Sequence, residues 1–359
     1  MPRKGAFSAA LEEEGIEYEI KPLANGGYTV RSAGFWLFPF KWRAMQRHLA
    51  DWADEIQTAG FEVVYSNSSV VAAGALLAER TGLPHVWHLR EYGWADYGIY
   101  YLWGKRVFTQ HLKAAAAVVC ISKSIRTHYF GQNEAAAAVV LNGVGTRATL
   151  AQRANDAMPN GKDTNSKAAH KAPFTFLIIG LLHPSKNQIE AVRAFGILTK
   201  KLREGVRLEI VGKGRVVYTF RLRCYIWWYG LGKAVQMRGF VANPDATYRA
   251  ADAVLMCSRN EAMGRVTAEA MAYRKPVVGF ASGATPEIIT DEQTGLLYDN
   301  THHTAAKNLA AAMYRIATDA PLRERLATNA AAWVLGNCAD ETYVAKIWEI
   351  IQAVRTKQP

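Results

Sequence analysis

Two glutamates raise the first chemical question. Glu261 and Glu269 are separated by seven residues in EAMGRVTAEAM, residues 261–271, with Gly264 between them. Carboxylates accept hydrogen bonds from hydroxyl groups. Two of them at different depths of one crevice could grip different parts of one elongated ligand, and Gly264 would let the backbone come close to it. The plainer reading is electrostatic: acidic side chains near a helix start are favoured by the macrodipole alone. A cation stands upstream. FTFLIIGLLHPSKNQ, residues 174–188, reads as a buried strand, Gly180, a loop and a helix starting near Ser185, with Lys186 in its first turn. Free N–H groups, the positive end of a helix and an ammonium together suit a diphosphate, although a lysine near a helix start is commonly only solvated. RLEIVGKG, 207–214, repeats strand and glycine loop, with Gly212 and Gly214 expected to let the backbone turn towards a ligand.

These residues need a scaffold, and the pattern around them supplies one. Short apolar runs recur at 61–67, 84–89, 116–122, 138–143, 174–180, 207–212, 253–258 and 276–280. Their continuous apolarity suits strands buried on both faces of a parallel sheet. Helical patterns fill the gaps, as in SVVAAGALLAERTG (69–82) and KNQIEAVRAFGILTKKLREG (186–205). Alternating strand and helix predicts a doubly wound α/β fold. In such folds ligands bind beyond the carboxyl ends of the strands. That places Glu261 in the loop after the strand ending near Cys257, and Glu269 on the helix that follows. ASGATPEIITDEQTGLLYD, 281–299, supplies a neighbouring loop and helix start.

The polar stretch 146–172 breaks the pattern and reads as a flexible linker. It divides the chain into an N-terminal domain, 1–145, and a C-terminal domain, 173–338. A last helix, 339–359, has Val344, Ile347, Ile351 and Val354 on one face and is expected to dock back on the N-terminal domain. The chain opens on AFSAALEEEG, 6–15, a helical pattern, with YEIKPL, 18–23, as a following strand. A domain of this kind usually opens with a strand and a Gly-rich turn. The expectation is that this first strand is lacking, against the simpler alternative of a domain that begins with a helix.

The 359 residues favour two domains. The net charge of +12 favours an anionic partner: a phosphorylated substrate, an acidic membrane surface or nucleic acid. Cys120, Cys224, Cys257 and Cys338 are far apart and form no CxxC, which argues against a disulfide framework or zinc site and fits a reducing cytosol. No signal peptide pattern is visible, and no apolar run is long enough for a transmembrane helix.

The chain resembles the glycosyltransferases of the GT-B fold, in particular the large retaining family 4, most specifically in its C-terminal half. EAMGRVTAE resembles that family's E-x7-E motif, Gly180 to Lys186 its G-x5-K phosphate loop, and SRNE, TGLLYD and GFVANPDATYRAADAVLMCS fit its pattern in the right order. The resemblance covers about residues 61–300. It implies two Rossmann-like domains facing a central cleft. It also implies that Glu269 binds the ribose of a nucleotide-sugar donor, that Glu261 holds the donor sugar, and that Lys186 binds and stabilises the leaving diphosphate. The backbone around Met263, Gly264, Arg265 and Val266 would touch sugar and phosphate. No cofactor or metal is expected, because a cation and helix N-termini can supply the electrostatics. One position departs from the family, which usually has arginine after the glycine of the phosphate loop. Here it is Leu181, and Arg265 is the candidate substitute.

SNSSVVAAG (66–74), PHVWHLREYGW (84–94), CISKS (120–124) and VLNGV (140–144) resemble the family's acceptor-domain strands and loops. This implies that the N-terminal half receives the acceptor, with His88, Glu91 and Asn142 as candidates and His88 as a catalytic candidate; a structural histidine is the competing reading. GFWLFPFKWRAMQRHLADWADEI (34–56) and RLRCYIWWYGLGK (221–233) mix aromatics with cations. The first is expected to face an acidic membrane and the second to pack. The implied function is a retaining, metal-independent transfer of a sugar from a nucleoside diphosphate to a cell-surface glycan or lipid-linked acceptor, in the cytoplasm or at the inner membrane face. The alternatives are a nucleotide-sugar epimerase or glycogen-type synthase of the same fold, or a non-catalytic nucleotide- or nucleic-acid-binding protein. Nucleic acid is not the expected partner, since no stacking motif or basic recognition helix is present.

Overall fold

The structure is a computed structural model and describes residues 4–21, 27–29, 38–93, 95, 98–101, 104–157 and 172–356. It forms two compact units: Met1–Ile121 with Ile125–Val140 and Lys346–Pro359, and Ser122–Ser124 with Leu141–Ala345. The strands, in chain order, are β1 (Gly27–Thr29), β2 (Val64–Ser66), β3 (His85–Leu89), β4 (Ile99–Tyr101), β5 (Ala117–Cys120), β6 (Ala138–Val139), β7 (Phe174–Ile179), β8 (Val206–Val211), β9 (Val235–Arg238), β10 (Ala253–Met256), β11 (Val277–Phe280) and β12 (Leu296–Tyr298).

In the first unit β2-β3-β5-β6 make a parallel sheet, and β1 pairs antiparallel with β4. All five residues of β3 are buried, as an interior strand of a parallel sheet covered on both faces requires, although two of them, His85 and His88, are polar. The opening pattern forms the helix Ala6–Glu13. Residues 18–21 of the expected strand YEIKPL have no strand conformation, and 22–23 lie outside the described residues. The helix Phe38–Thr58 buries Met45, Leu49 and Trp52 in a small cluster with Ala73, and Ala53 is buried as well. Its aromatic and cationic composition therefore partly serves packing; residues 34–37 of the same stretch lie outside the described residues.

In the second unit the order is β12-β11-β10-β7-β8-β9, all parallel. The chain winds outward one way from β7 to β9, then returns to the other side of β7 with β10. One face of this sheet carries the core that includes Phe176, Phe195, Leu208, Leu255, Met313 and Leu326, and Leu177, Val254 and Val277 are buried on the other. The expected linker is partly wrong. Arg147–Asp156 is a helix, because the Thr146 side chain caps it by accepting from the Thr149 N–H at 3.1 Å, and Leu150 is buried. Arg153 anchors it by donating to the Val144 carbonyl at 3.0 Å and lying 5.1 Å from the Tyr273 ring centroid. On the last helix, Asp340–Arg355, Val354 is buried while Val344 is exposed, so the expected apolar face is covered only in part.

Candidate functional site

Strand order in the second sheet reverses between β7 and β10. The loops leaving their carboxyl ends run to opposite sides, which opens a crevice at this point. Lys186 comes from the loop after β7 and Glu261 from the loop after β10. They meet with Nζ and Oε2 2.6 Å apart, the lysine side chain 35% and the glutamate side chain 14% exposed. Both remain accessible from the crevice. The Glu261 carbonyl accepts from the Ala284 N–H at 2.8 Å, which fastens this loop to the one after β11.

Gly264 then starts the helix Arg265–Ala272 in a left-handed conformation, φ 86°. A side chain there would be strained, and its Cβ would lie 3.4 Å from Ile288 Cδ1 and 3.5 Å from Glu261 Cγ. Met263 is buried beside it, Arg265 is exposed and Val266 half-buried. One helical turn on, Glu269 is held from two sides. Arg265 Nε donates to Oε1 at 2.7 Å, and the Tyr248 hydroxyl donates to Oε2 at 2.9 Å. Burial, then the Glu269 charge, pushes the Tyr248 phenol well above its usual range, so it stays a donor. Nothing in the spacing of the motif announces Tyr248; it reaches Glu269 from the short helix Asp245–Ala250.

The glycine loops after β7 and β8 support this edge. Gly180 has φ 141°. A Cβ on Gly212 would fall 1.9 Å from the Gly180 carbonyl oxygen, and one on Gly214 would fall 2.0 Å from that of Leu182. The Leu182 N–H donates to the Lys213 carbonyl at 3.0 Å. Gly212 and Gly214 thus let two loops close on each other, which accounts for them without the expected ligand approach. His183 adds a local cap: its Nδ1 accepts from the Ser185 N–H at 3.3 Å. Burial, then Arg215 and Lys186, holds its pKa below the usual histidine value, which keeps it neutral and able to accept. Leu181, where the resemblance leads one to expect arginine, is 56% exposed. Two further side chains escaped the sequence reading. Gln188 Nε2 donates to the Leu181 carbonyl at 2.9 Å, and Glu190 accepts from the Tyr298 hydroxyl at 2.9 Å and pairs with Arg259 at 3.3 Å.

The N-terminal candidates have other surroundings. His88, on β3, is fully buried with Nδ1 2.8 Å from the Tyr65 hydroxyl. Burial, and secondarily Arg90, lowers its pKa to about 3, so the ring is neutral at ordinary pH. Glu91 accepts from the Ser69 N–H at 2.7 Å and from Ser68 Oγ at 3.2 Å, bracing the turn after β2. Asn142 belongs to the second unit and is buried. The neighbouring Gly143 passes so close to Asp340 that a Cβ would fall 2.0 Å from its Oδ1. Lys186 and Glu261 are therefore brought together, Glu269 follows on the adjoining helix, and His88 and Glu91 stand in the other compact unit. Among the described residues, no helix is long and apolar enough to cross a membrane.

Residues 160–333 match the family described as glycosyl transferases group 1. Two similar curated proteins are both named D-inositol 3-phosphate glycosyltransferase. The one from Actinosynnema mirum is 45% identical over 95 residues, 26% of this chain and 22% of that protein. The one from Paenarthrobacter aurescens is 33% identical over 145 residues, 39% of this chain and 35% of that protein. The matched region therefore spans between about a fifth and a third of those relatives' length. Among solved structures, Anabaena HepE in complex with UDP and glucose superposes with a TM-score of 0.74 at 21% identity, covering 98% of this chain and 90% of that one. A glycosyltransferase from Rickettsia africae gives 0.76 at 18% identity, over 99% and 89% of the two chains. Residues 160–333, just under half of the chain, are thus similar to the glycosyl transferases group 1 family, and the chain as a whole has the GT-B fold.

Proposed function

We propose that this chain transfers a sugar from a nucleoside diphosphate to a glycan or lipid-linked acceptor, with retention of anomeric configuration and without a metal ion. The observation that carries the reading is the pair of contacts at the strand-order reversal: Lys186 on Glu261 at 2.6 Å, with Glu269 fixed one helical turn beyond by Arg265 and Tyr248. Glu269, its two oxygens already oriented, accepts from the ribose hydroxyls. Glu261 accepts from hydroxyls of the donor sugar. Lys186, now neutralised by Glu261, turns its ammonium to the diphosphate and stabilises the charge that grows there as the glycosidic bond breaks. A cation preoriented in a partly dry crevice acts mainly on this transition-state charge. The acceptor hydroxyl attacks from the face the diphosphate leaves, and the departing phosphate oxygen takes its proton.

The HepE structures contain UDP, UDP with glucose, and UDP-glucose, which supports a uridine nucleotide as the first donor to try. The family match supports transfer over the epimerase alternative. The His88 and Glu91 geometry favours structural roles for both over direct chemistry. The test is incubation with UDP-glucose and a panel of inositol phosphates, lipid-linked sugars and oligosaccharides, in buffer with and without EDTA, followed by NMR of the new anomeric centre. An α-linked product formed equally with the chelator is expected. A β-linked product would remove retention, and loss of turnover in EDTA would remove metal independence. Protection from thermal unfolding by no nucleoside diphosphate would remove the donor assignment itself.

A further inference from the structure

The helix Val216–Trp228 in the second unit has two apolar faces. Tyr218, Leu222 and Ile226 are buried in the core. At about 3.6 residues per turn, Val216, Val217, Phe220, Cys224, Trp227 and Trp228 fall together on the opposite side. All six are exposed, Trp227 at 77% and Trp228 at 78%. This overturns the expectation that 221–233 is a packing segment. The same spacing puts Arg223 along one edge of the exposed stripe and Arg221 along the other, and both are exposed. Between Glu209 and Asp245 the sequence has six cations and no acid: Lys213, Arg215, Arg221, Arg223, Lys233 and Arg238. Only Arg238 is ion-paired among these described residues, to Glu209 at 3.2 Å.

We propose that this face is a docking surface for an acidic lipid bilayer. An apolar stripe with tryptophans lies at the headgroup boundary, and arginines along its edges extend their guanidinium groups to lipid phosphates. The charge argues against a second copy as the occupant, since stacking two such faces would bring both sets of unpaired cations together in a chain already at +12. The surface is independent of the sugar-transfer reading, because vesicle binding needs no donor.

Cys224 is the exposed cysteine, and Cys120, Cys257 and Cys338 are buried. It sits in the middle of the stripe, so an environment-sensitive fluorophore attached there reports on this face. Addition of phosphatidylcholine vesicles with about one-third phosphatidylglycerol should blue-shift and brighten the label, with much less response to pure phosphatidylcholine. The unlabelled protein should co-sediment with the acidic vesicles. Arg221→Glu with Arg223→Glu should weaken that binding about tenfold or more, and Trp227→Ser with Trp228→Ser should abolish it. Both pairs are exposed, so circular dichroism should be unchanged. An unresponsive label together with no co-sedimentation would overturn the proposal. So would a concentration-dependent dimer that the tryptophan pair abolishes, because the stripe would then be covered by a second copy.

Discussion

The two parallel sheets differ in one topological respect, and their polar residues differ with it. The second sheet reverses its order between β7 and β10, whereas the four parallel strands of the first run β2-β3-β5-β6 without reversal among the described residues. At the reversal, adjacent loops part and leave Lys186 and Glu261 half-covered, facing each other across 75 residues of sequence. In the first sheet the comparable strand end draws His88 fully into the interior, and Glu91 is saturated by Ser68 and Ser69. Histidine and glutamate are as capable of chemistry as lysine and glutamate. Topology leaves Lys186 and Glu261 partly exposed at the strand ends, while His88 is buried.

Substitutions can break this contrast, and the largest effect is expected at the reversal. Lys186→Ala should lower kcat by about a hundredfold to a thousandfold, the usual loss on removing one preoriented charge stabiliser. His88→Gln should leave kcat within a few-fold in protein that remains folded. An equal loss in the two variants, measured by transfer from UDP-glucose, would erase the distinction between the sheets. Next in size, Glu269→Ala should weaken UDP binding by roughly tenfold to a hundredfold, the worth of one or two hydrogen bonds to a charged group. Tyr248→Phe should give a smaller share of that loss, since Arg265 still holds the carboxylate.

The buried histidines give a prediction about the first unit alone. His88 is held at about 3 and His85 at about 4, both chiefly by burial. Unfolding returns each towards 6.5, so the unfolded chain binds more protons between those values. The stability they contribute is complete above pH 6.5 and is lost as the pH falls, on the order of 1 kcal/mol per pH unit for each histidine. Urea titrations from pH 7 to pH 4.5 should show this decline, and a reduced slope in His88→Gln. The smallest effects belong to the diphosphate edge. Leu181→Arg should tighten UDP binding a few-fold by restoring a cation beside Gly180, and Arg265→Leu should weaken it a few-fold. Arg265 is 70% exposed in its pair with Glu269, so its loss should cost little stability.

Much of this frame is legible in the sequence, for identifiable reasons. The apolar runs that became β10 and β11 are buried on both faces, and burial of that kind leaves an unbroken pattern, whereas β8 keeps Arg207 exposed and shows a partial alternation. The Glu261–Glu269 spacing is local and straddles one loop and one helix, so it survives as a motif. The helix Arg147–Asp156 was hidden because its composition is polar and one buried leucine, Leu150, does most of the packing. Tyr248 was hidden because its partner is 21 residues away and the contact exists only after β10 is in place. The outward face of Val216–Trp228 was hidden because a helix apolar on both sides looks the same in sequence whether the second side is covered or bare.

The most direct test separates the two ends of the proposed ligand. Calorimetric titration of the wild type, Lys186→Ala and Glu269→Ala with UDP and with uridine would do so. If the lysine meets the diphosphate and the glutamate the ribose, Lys186→Ala weakens UDP binding and leaves uridine binding unchanged, while Glu269→Ala weakens both. Wild-type affinity for UDP in both variants would contradict the assignment of this crevice to a nucleotide-sugar donor.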